Sequence, residues 1–193
     1  LWATKFSDIT GNNTDSLENP PQRRARLSQA WHDWFRKRVA ENVPYDEIVR
    51  GVLTATSREG RSIEDFIREV ESIEEAQDNG LWASNYANRQ TLDLFWRRQQ
   101  RVTIDQWGEK TAAAFLGVRL ECAQCHKHPF DRWSQTDYRA YANLFTQVSV
   151  GIAPDATAVF RKVNQERQKK TLERQKKLRA KGAKAPLFPV GPL

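Results

Sequence analysis

Residues 25–41, with the sequence ARLSQAWHDWFRKRVAE, decide the fold class of this chain. Large apolar side chains recur in this stretch at the spacing of a single helical face. These side chains are Leu27, Trp31, Trp34, Phe35 and Val39. Charged residues fill many of the positions between them, and Pro44 follows shortly afterwards. The pattern predicts an amphipathic helix that ends before Pro44.

The same periodicity recurs in five more stretches on the C-terminal side of Pro44. Three of them begin with a capping-box pattern, at Ser62, Thr103 and Ser134. No stretch between residues 25 and 148 alternates apolar and polar residues as a β-strand does. We therefore expect an all-α fold with about six amphipathic helices. The five further helices are predicted between Pro44 and Ser57 and over residues 62–77, 88–100, 103–118 and 134–148.

The two ends of the chain differ from this helical domain, which we place at residues 25–150. Residues 1–24 are rich in Gly, Asn, Asp and Pro, so we expect an irregular N-terminal segment. Residues 151–193 are expected to form a basic helical arm or an insertion with a Pro-rich, extended end. In this arm, residues 160–184 are polar on nearly every side, which predicts a projecting, solvated helix. The prolines of the extended end are Pro186, Pro189 and Pro192.

The positive charge is concentrated in this arm. The 193 residues carry a formal net charge of +7, yet residues 161–184 alone contain 11 Lys or Arg against two Glu. Residues 1–160 keep 20 basic against 22 acidic side chains. A nucleic-acid-binding domain would need a basic face on the folded part, so nucleic acid is not expected as a partner.

Two absences in the sequence bear on the class of protein. No apolar run approaches 18 residues, so no transmembrane segment is expected in this chain. The chain contains no methionine, even at position 1. We therefore expect a processed product or a segment of a longer polypeptide.

Both cysteines of the chain lie in the sequence Cys122-Ala123-Gln124-Cys125-His126. C-x-x-C-H is the attachment pattern of haem c. Two thiols three residues apart can each add to a vinyl group of haem, and the next residue then offers an imidazole to the iron. The pattern predicts Cys122 and Cys125 as attachment residues and His126 as the proximal ligand.

Other uses of the same residues stay open. His128 adds a fourth donor, so a Cys2His2 zinc site is an alternative, although its four ligands would lie within seven residues. A redox-active C-x-x-C would need a thioredoxin-like βαβ setting, which the helical periodicity does not predict. A structural cysteine pair is also possible, but it would not need the histidine that follows.

The sixth ligand of a haem at this site is limited by composition. Without methionine, a His/Met pair would need another segment. His32 borders the apolar face of its helix and is a candidate distal ligand; its other interpretation is a helix-edge histidine bonded to a neighbour. A lysine, a partner chain or an open position are the remaining alternatives.

Two stretches resemble a known family. FLGVRLECAQCHKHPFDRWSQTDYRAYANLF (115–145) and PYDEIVRGVLTA (44–55) are similar to a planctomycete-type, cytochrome-associated domain of unknown function. The resemblance implies a large extracytoplasmic protein, periplasmic or at the cell surface, that often carries a separate cytochrome c domain. It assigns no catalytic residue and no established activity. The residues that match the family motif are Cys122, Cys125, His126, His128, Pro129, Phe130 and Trp133.

Three functions are therefore expected, in decreasing order. The first is a haem c-bearing electron-transfer domain whose partner is a redox protein or a neighbouring cytochrome c domain of the same polypeptide. The second is a helical structural or interaction module with a zinc or structural Cys/His site. The third is a component of a polysaccharide-processing system that meets glycan through other domains. Whether the protein is an enzyme stays open.

Overall fold

A computed structural model describes residues 1–13, 17, 21–78, 85–97, 102–149 and 151–180, and within it the side chains of 21–23 and 74–78 lie outside the description. These residues form α-helices and short 3-10 turns and contain no β-strand, so the predicted all-α fold is confirmed. Seven α-helices occur in this part of the chain: five of the six predicted between residues 25 and 148, the predicted helix of the basic arm, and one additional helix near the N-terminus. They are α1 (Trp2–Ile9), α2 (Pro21–Ala40), α3 (Tyr45–Leu53), α4 (Ile63–Asp78), α5 (Ile104–Thr111), α6 (Gln135–Asn143) and α7 (Thr157–Ala180).

Helix α1 is the additional one, since residues 2–9 were expected to be irregular. Its Phe6 ring stacks on Phe35 of α2, with the ring centroids 5.6 Å apart, and Ala3 is buried beside it. This packing stabilises a helix of only two turns that would be marginal alone. Gly11, at φ 76°, turns the chain after the helix ends, as the Gly and Asn residues of this segment predicted.

The aromatic face of α2 forms the centre of the core. Trp31, Trp34 and Phe35 are fully buried. The indole N–H of Trp34 donates to the carbonyl of Arg89 at 3.2 Å, so its burial leaves no unpaired donor. Around these rings packs a main core of Ala3, Leu17, Ala30, Ile48, Val52, Tyr86, Leu92, Leu94, Phe95 and Trp107.

The predicted helix over residues 88–100 is wrong for its described part. Residues 85–97 instead form two short 3-10 turns, Asn85–Asn88 and Asp93–Phe95. Backbone N–H groups here bond to distant acceptors: that of Leu92 donates to the carbonyl of Gly51 at 2.9 Å, and that of Thr91 to the carboxylate of Glu59 at 2.7 Å. These tertiary bonds replace the i→i−4 bonds that a helix would require.

The helices predicted over residues 103–118 and 134–148 are both present. Thr103 and Ser134 both form complete capping boxes at the starts of α5 and α6. Helix α5 widens into a π-helical turn over Ala112–Leu116 and ends at Gly117, whose φ of 67° is left-handed. Helix α6 continues into a 3-10 turn over Leu144–Gln147.

Helix α7 forms where a projecting helix was predicted, but its first turns are packed. Phe160 is buried against Phe66 of α4, with the ring centroids 6.1 Å apart. Most of its later residues are exposed. Residues 181–193, with the expected Pro-rich end, lie outside the described residues. In the described part of the chain no helix is long and apolar enough to cross a membrane.

Candidate functional site

The CAQCH turn lies between α5 and α6. It starts with a 3-10 turn over Glu121–Gln124 and rests on two buried side chains, Leu120 and Ala123. They pack in a small cluster with Ala112 of the π-helical turn and Tyr138 of α6. The turn is therefore held to the body of the domain by the residues next to the cysteines.

The two thiols lie on the outer side of this turn. Cys122 and Cys125 are both free and both exposed. A reduced cysteine that serves to pack a core is usually buried. Here Ala123 takes the buried position between them, so core packing does not account for the two cysteines.

Gln135, at the start of α6, holds the backbone of the turn. Its side-chain NH2 group donates to the carbonyl of Cys125 at 2.7 Å and to that of Gln124 at 3.2 Å. The backbone N–H of His126 donates to the carbonyl of Cys122 at 3.4 Å and folds the histidine back towards the first cysteine. Gln135 lies within the family-like stretch 115–145, one residue after the Ser134 cap, but no role was predicted for it.

The ring of His126 is exposed and has one nitrogen engaged. Nδ1 lies 2.7 Å from the carbonyl oxygen of Lys127, and since a carbonyl only accepts, Nδ1–H is the donor. The neutral ring then carries its lone pair on Nε2. A hydrogen bond of this kind commonly fixes the ring of a metal-binding histidine.

His128 differs, because both of its ring nitrogens are used by the backbone. The N–H of Phe130 donates to Nδ1 at 3.2 Å, and Nε2–H donates to the carbonyl of Arg119 at 3.0 Å. A metal ion at either nitrogen would have to displace one of these bonds. Across the described ranges, no three His, Cys, Asp or Glu side chains are grouped as a metal site.

The loop from His128 to Trp133 is held together by its own hydrogen bonds. The N–H of His128 donates to the carbonyl of Trp133 at 2.8 Å, and the Trp133 indole donates to Asp131 at 3.1 Å. Asp131, which also accepts from the backbone N–H of Arg132 at 2.7 Å, thus organises the loop. Phe130 is 93 % exposed and contributes nothing to the core.

His32 lies in another part of the molecule. Its helix α2 packs in the main core, whereas the CAQCH turn packs in the separate cluster of Leu120, Ala123 and Tyr138. Nδ1 of His32 is 3.7 Å from the carboxylate of Asp33. This contact fits a helix-edge histidine beside a neighbour, and a role as distal ligand stays a prediction.

Tyr138 of α6 packs against Leu120 and Ala123, the buried residues of the CAQCH turn. Its hydroxyl donates to Glu109 of α5 at 2.8 Å. Burial, together with this bond to a carboxylate, raises the pKa of Tyr138 well above its ordinary value. The phenol therefore stays protonated and keeps α5 and α6 joined beneath the turn.

These features define an all-α domain with an exposed C-x-x-C-H turn. Residues 1–150 match the family model PSCyt2, described as a protein of unknown function (DUF1549). The chain belongs to this family, a planctomycete cytochrome-associated domain of unknown function, which confirms the predicted resemblance at that level. All of α7 lies beyond the matched residues. No curated protein and no solved structure matches the chain significantly.

Proposed function

We propose that the CAQCH turn attaches haem c and that the domain transfers electrons within a larger extracytoplasmic protein. One observation carries the proposal: two free, exposed thiols share a turn with an imidazole whose Nδ1 is engaged and whose Nε2 is left for a metal. Thiols and imidazole are the donors that haem c requires, so the residues present fit the group.

The chain's own residues would act as follows. Each thiol of Cys122 and Cys125 adds to a vinyl group: a sulfur–carbon bond forms at one vinyl carbon and the proton goes to the other, so no oxidant is needed. Nε2 of His126 is the proximal ligand. Bound haem supplies a one-electron Fe(III)/Fe(II) couple.

The surroundings of the turn suit such a role. Gln135 holds the backbone of Cys125, and the carbonyl of Lys127 holds the ring of His126, so hydrogen bonds within this chain orient an attachment cysteine and the imidazole that would bind the iron. An exposed turn also leaves the site accessible to a redox partner. We propose that this partner is a separate redox protein or a neighbouring cytochrome c domain of the same polypeptide; glycan would be met only through other domains.

The distal position stays open in this proposal. His32, a lysine, a residue from elsewhere in the polypeptide or no protein ligand are the candidates, since the chain has no methionine. Loss of a methionine ligand lowers the potential relative to a His/Met site. With His32, a lysine of this chain or no protein ligand at this position, we therefore expect a reduction potential below that of His/Met cytochromes.

The test is a pyridine haemochrome spectrum with a haem-stained denaturing gel, on protein exported from cells that carry the cytochrome c maturation system. We expect a covalent c-type band that disappears in the Cys122→Ala/Cys125→Ala variant. No band in folded, exported protein would overturn the proposal.

Two histidine variants form a matched pair in the same test. His126→Ala removes the proposed proximal ligand, so we expect an altered haem spectrum or no attachment. His128→Gln, a change two residues away at a histidine whose ring bonds only to backbone, should leave both unchanged. Equal effects of the two variants would contradict the roles assigned to these histidines.

A zinc-bearing structural or interaction module is the second candidate. Cys122, Cys125 and His126 offer three of the donors that zinc prefers, with a fourth needed from elsewhere. Haem-free protein that contains one zinc per chain, lost in the double cysteine variant, would support this function in place of the first.

A further inference from the structure

A cavity of about 1020 Å³ lies away from the CAQCH turn, and neither cysteine and no histidine lines it. It opens between α2, α4 and the first turns of α7. Its walls also include the loop after α3, the segment 86–97 and residues 144–149 and 151–156. Pockets of several hundred to about a thousand Å³ are the usual size for small-molecule sites.

Two walls of this cavity are apolar. One is formed by Phe66 and Phe160, whose rings meet edge to face. The other contains Trp96 and Phe145, with ring centroids 6.4 Å apart. The indole N–H of Trp96 is bonded to the carbonyl of Val52 at 2.9 Å, so this wall presents its ring and no free donor.

A third wall is polar, and most of its charges are already bonded within the protein. Arg89 is buried and donates to Glu69 at 2.8 Å and to the carbonyl of Ser57 at 2.6 Å. Arg61 donates to the same Glu69 oxygen at 2.9 Å. The buried carboxylate of Asp93 accepts from the hydroxyl of Tyr86 at 2.6 Å.

Arg97 and Arg58 are the exceptions on this wall. Arg97 is 34 % exposed, and among the described residues its guanidinium approaches Asp93 alone, at 3.7 Å, which is too long for a hydrogen bond. Arg58 contacts Asp155 through a single Nη1 atom at 3.0 Å. A guanidinium has five N–H donors, so both side chains keep donors for a further acceptor.

We infer that this cavity binds a small organic anion with an apolar body, of the carboxylate or sulfonate type. The anionic group is held by Arg97 and Arg58, because their planar guanidinium groups can donate two parallel bonds to such oxygens. The apolar body lies between the Phe66–Phe160 wall and the Trp96–Phe145 wall. A cation is not favoured, since the carboxylate of Asp93, which lines the cavity, is bonded to Tyr86 and lies beside Arg97.

The inference is tested with two fluorescent probes that share one ring system. 1-Anilinonaphthalene-8-sulfonate carries the charge, and N-phenyl-1-naphthylamine lacks it. Titrations use the full 193-residue chain with Cys122→Ala/Cys125→Ala, so that no attached haem quenches the fluorescence. This background also makes the result independent of the proposed haem site.

We expect saturable binding of one sulfonate probe per chain. Arg97→Gln should weaken the sulfonate probe about tenfold, the effect of losing a charge-assisted bond, and leave the neutral probe unchanged. Arg68→Gln is the matched control, since Arg68 is an exposed arginine of α4 outside the cavity. It should change neither titration.

A second variant covers the case in which Arg97→Gln disturbs folding through Asp93. Val148→Trp fills the cavity without changing the charge and should weaken both probes, while circular dichroism checks the helical fold. The inference is overturned by an absence of saturable binding, by binding that neither variant alters, or by equal losses in Arg97→Gln and Arg68→Gln.

Discussion

The aromatic face of α2 and the CAQCH turn are both distinctive stretches of sequence, but the first is buried in the core and the second is exposed to solvent. Trp31, Trp34 and Phe35 are fully buried, and the indole N–H of Trp34 donates to a backbone carbonyl within the core. Cys122 and Cys125 are exposed, and only their neighbours Leu120 and Ala123 are buried. The buried aromatic residues stabilise the fold, whereas the exposed cysteines are available for chemistry. Substitution of the aromatic residues should therefore unfold the domain, and substitution of the cysteines should leave the fold intact.

The largest effect is expected for Trp34→Ala. Removing this fully buried ring leaves a cavity and should lower the free energy of unfolding by about 3–5 kcal/mol. Trp2→Ala is the matched control, because Trp2 is 59 % exposed, and it should cost less than about 1 kcal/mol. Urea unfolding followed by circular dichroism measures both, and equal losses would refute the assignment of α2 as the centre of the core.

A smaller, pH-dependent effect is expected for Asp93→Asn beside the core. Burial by itself would raise the pKa of Asp93, but Arg97, Arg89 and the Tyr86 hydroxyl outweigh it and lower the pKa below the ordinary 3.8. A lowered folded pKa stabilises the protein fully above pH 3.8, and this contribution is lost as the pH falls through the folded value.

Asp93→Asn should therefore lower the free energy of unfolding by about 2 kcal/mol at pH 7 and flatten its decline below pH 3.8. The measurement is a series of urea unfolding curves between pH 7 and pH 2. Parallel curves for the parent and the variant would show that Asp93 does not contribute to acid sensitivity.

A modest effect is expected at the support of the turn. Gln135→Ala removes two hydrogen bonds to the turn's backbone carbonyls and should cost about 0.5–1 kcal/mol, because both bonds are exposed. It should also reduce the yield of haem attachment under the maturation conditions described above. A haem yield and a stability both equal to those of the parent would exclude Gln135 as the support.

The smallest effect on stability is expected for the cysteines themselves. Cys122→Ala/Cys125→Ala in haem-free protein should change the free energy of unfolding by less than about 0.5 kcal/mol, since both side chains are exposed. Thermal and urea unfolding of the two proteins, purified without haem, give the comparison. A loss of several kcal/mol would mean that the turn is structural and would remove the contrast with α2.

Prediction from the sequence succeeded where local interactions dominate. Thr103 and Ser134 cap their helices as the capping-box pattern predicted, because both partners of each bond lie within one turn. It failed over residues 88–97, where the N–H groups of Thr91 and Leu92 bond to Glu59 and Gly51. Acceptors more than thirty residues away leave no periodic signal in the chain.

The candidate site shows the same division. The positions of Cys122, Cys125 and His126 follow from a motif of five residues. The C-x-x-C-H pattern already ranked His126 above His128, but it could not show which ring nitrogens the surrounding backbone engages. The backbone of Arg119 and Phe130 engages both nitrogens of His128, whereas Lys127 engages only one of His126.

The sequence by itself determined the all-α class, the capped starts of α5 and α6, and the turn that carries the cysteines. Periodicity, capping and motif spacing are properties of neighbouring residues, and these features depend on little else. Only the tertiary structure decided which histidine has both ring nitrogens engaged by the backbone, that residues 88–97 are not a helix, and that Arg97 lines a large cavity. Each of these depends on atoms brought together from distant segments, where burial makes one polar contact exclude another.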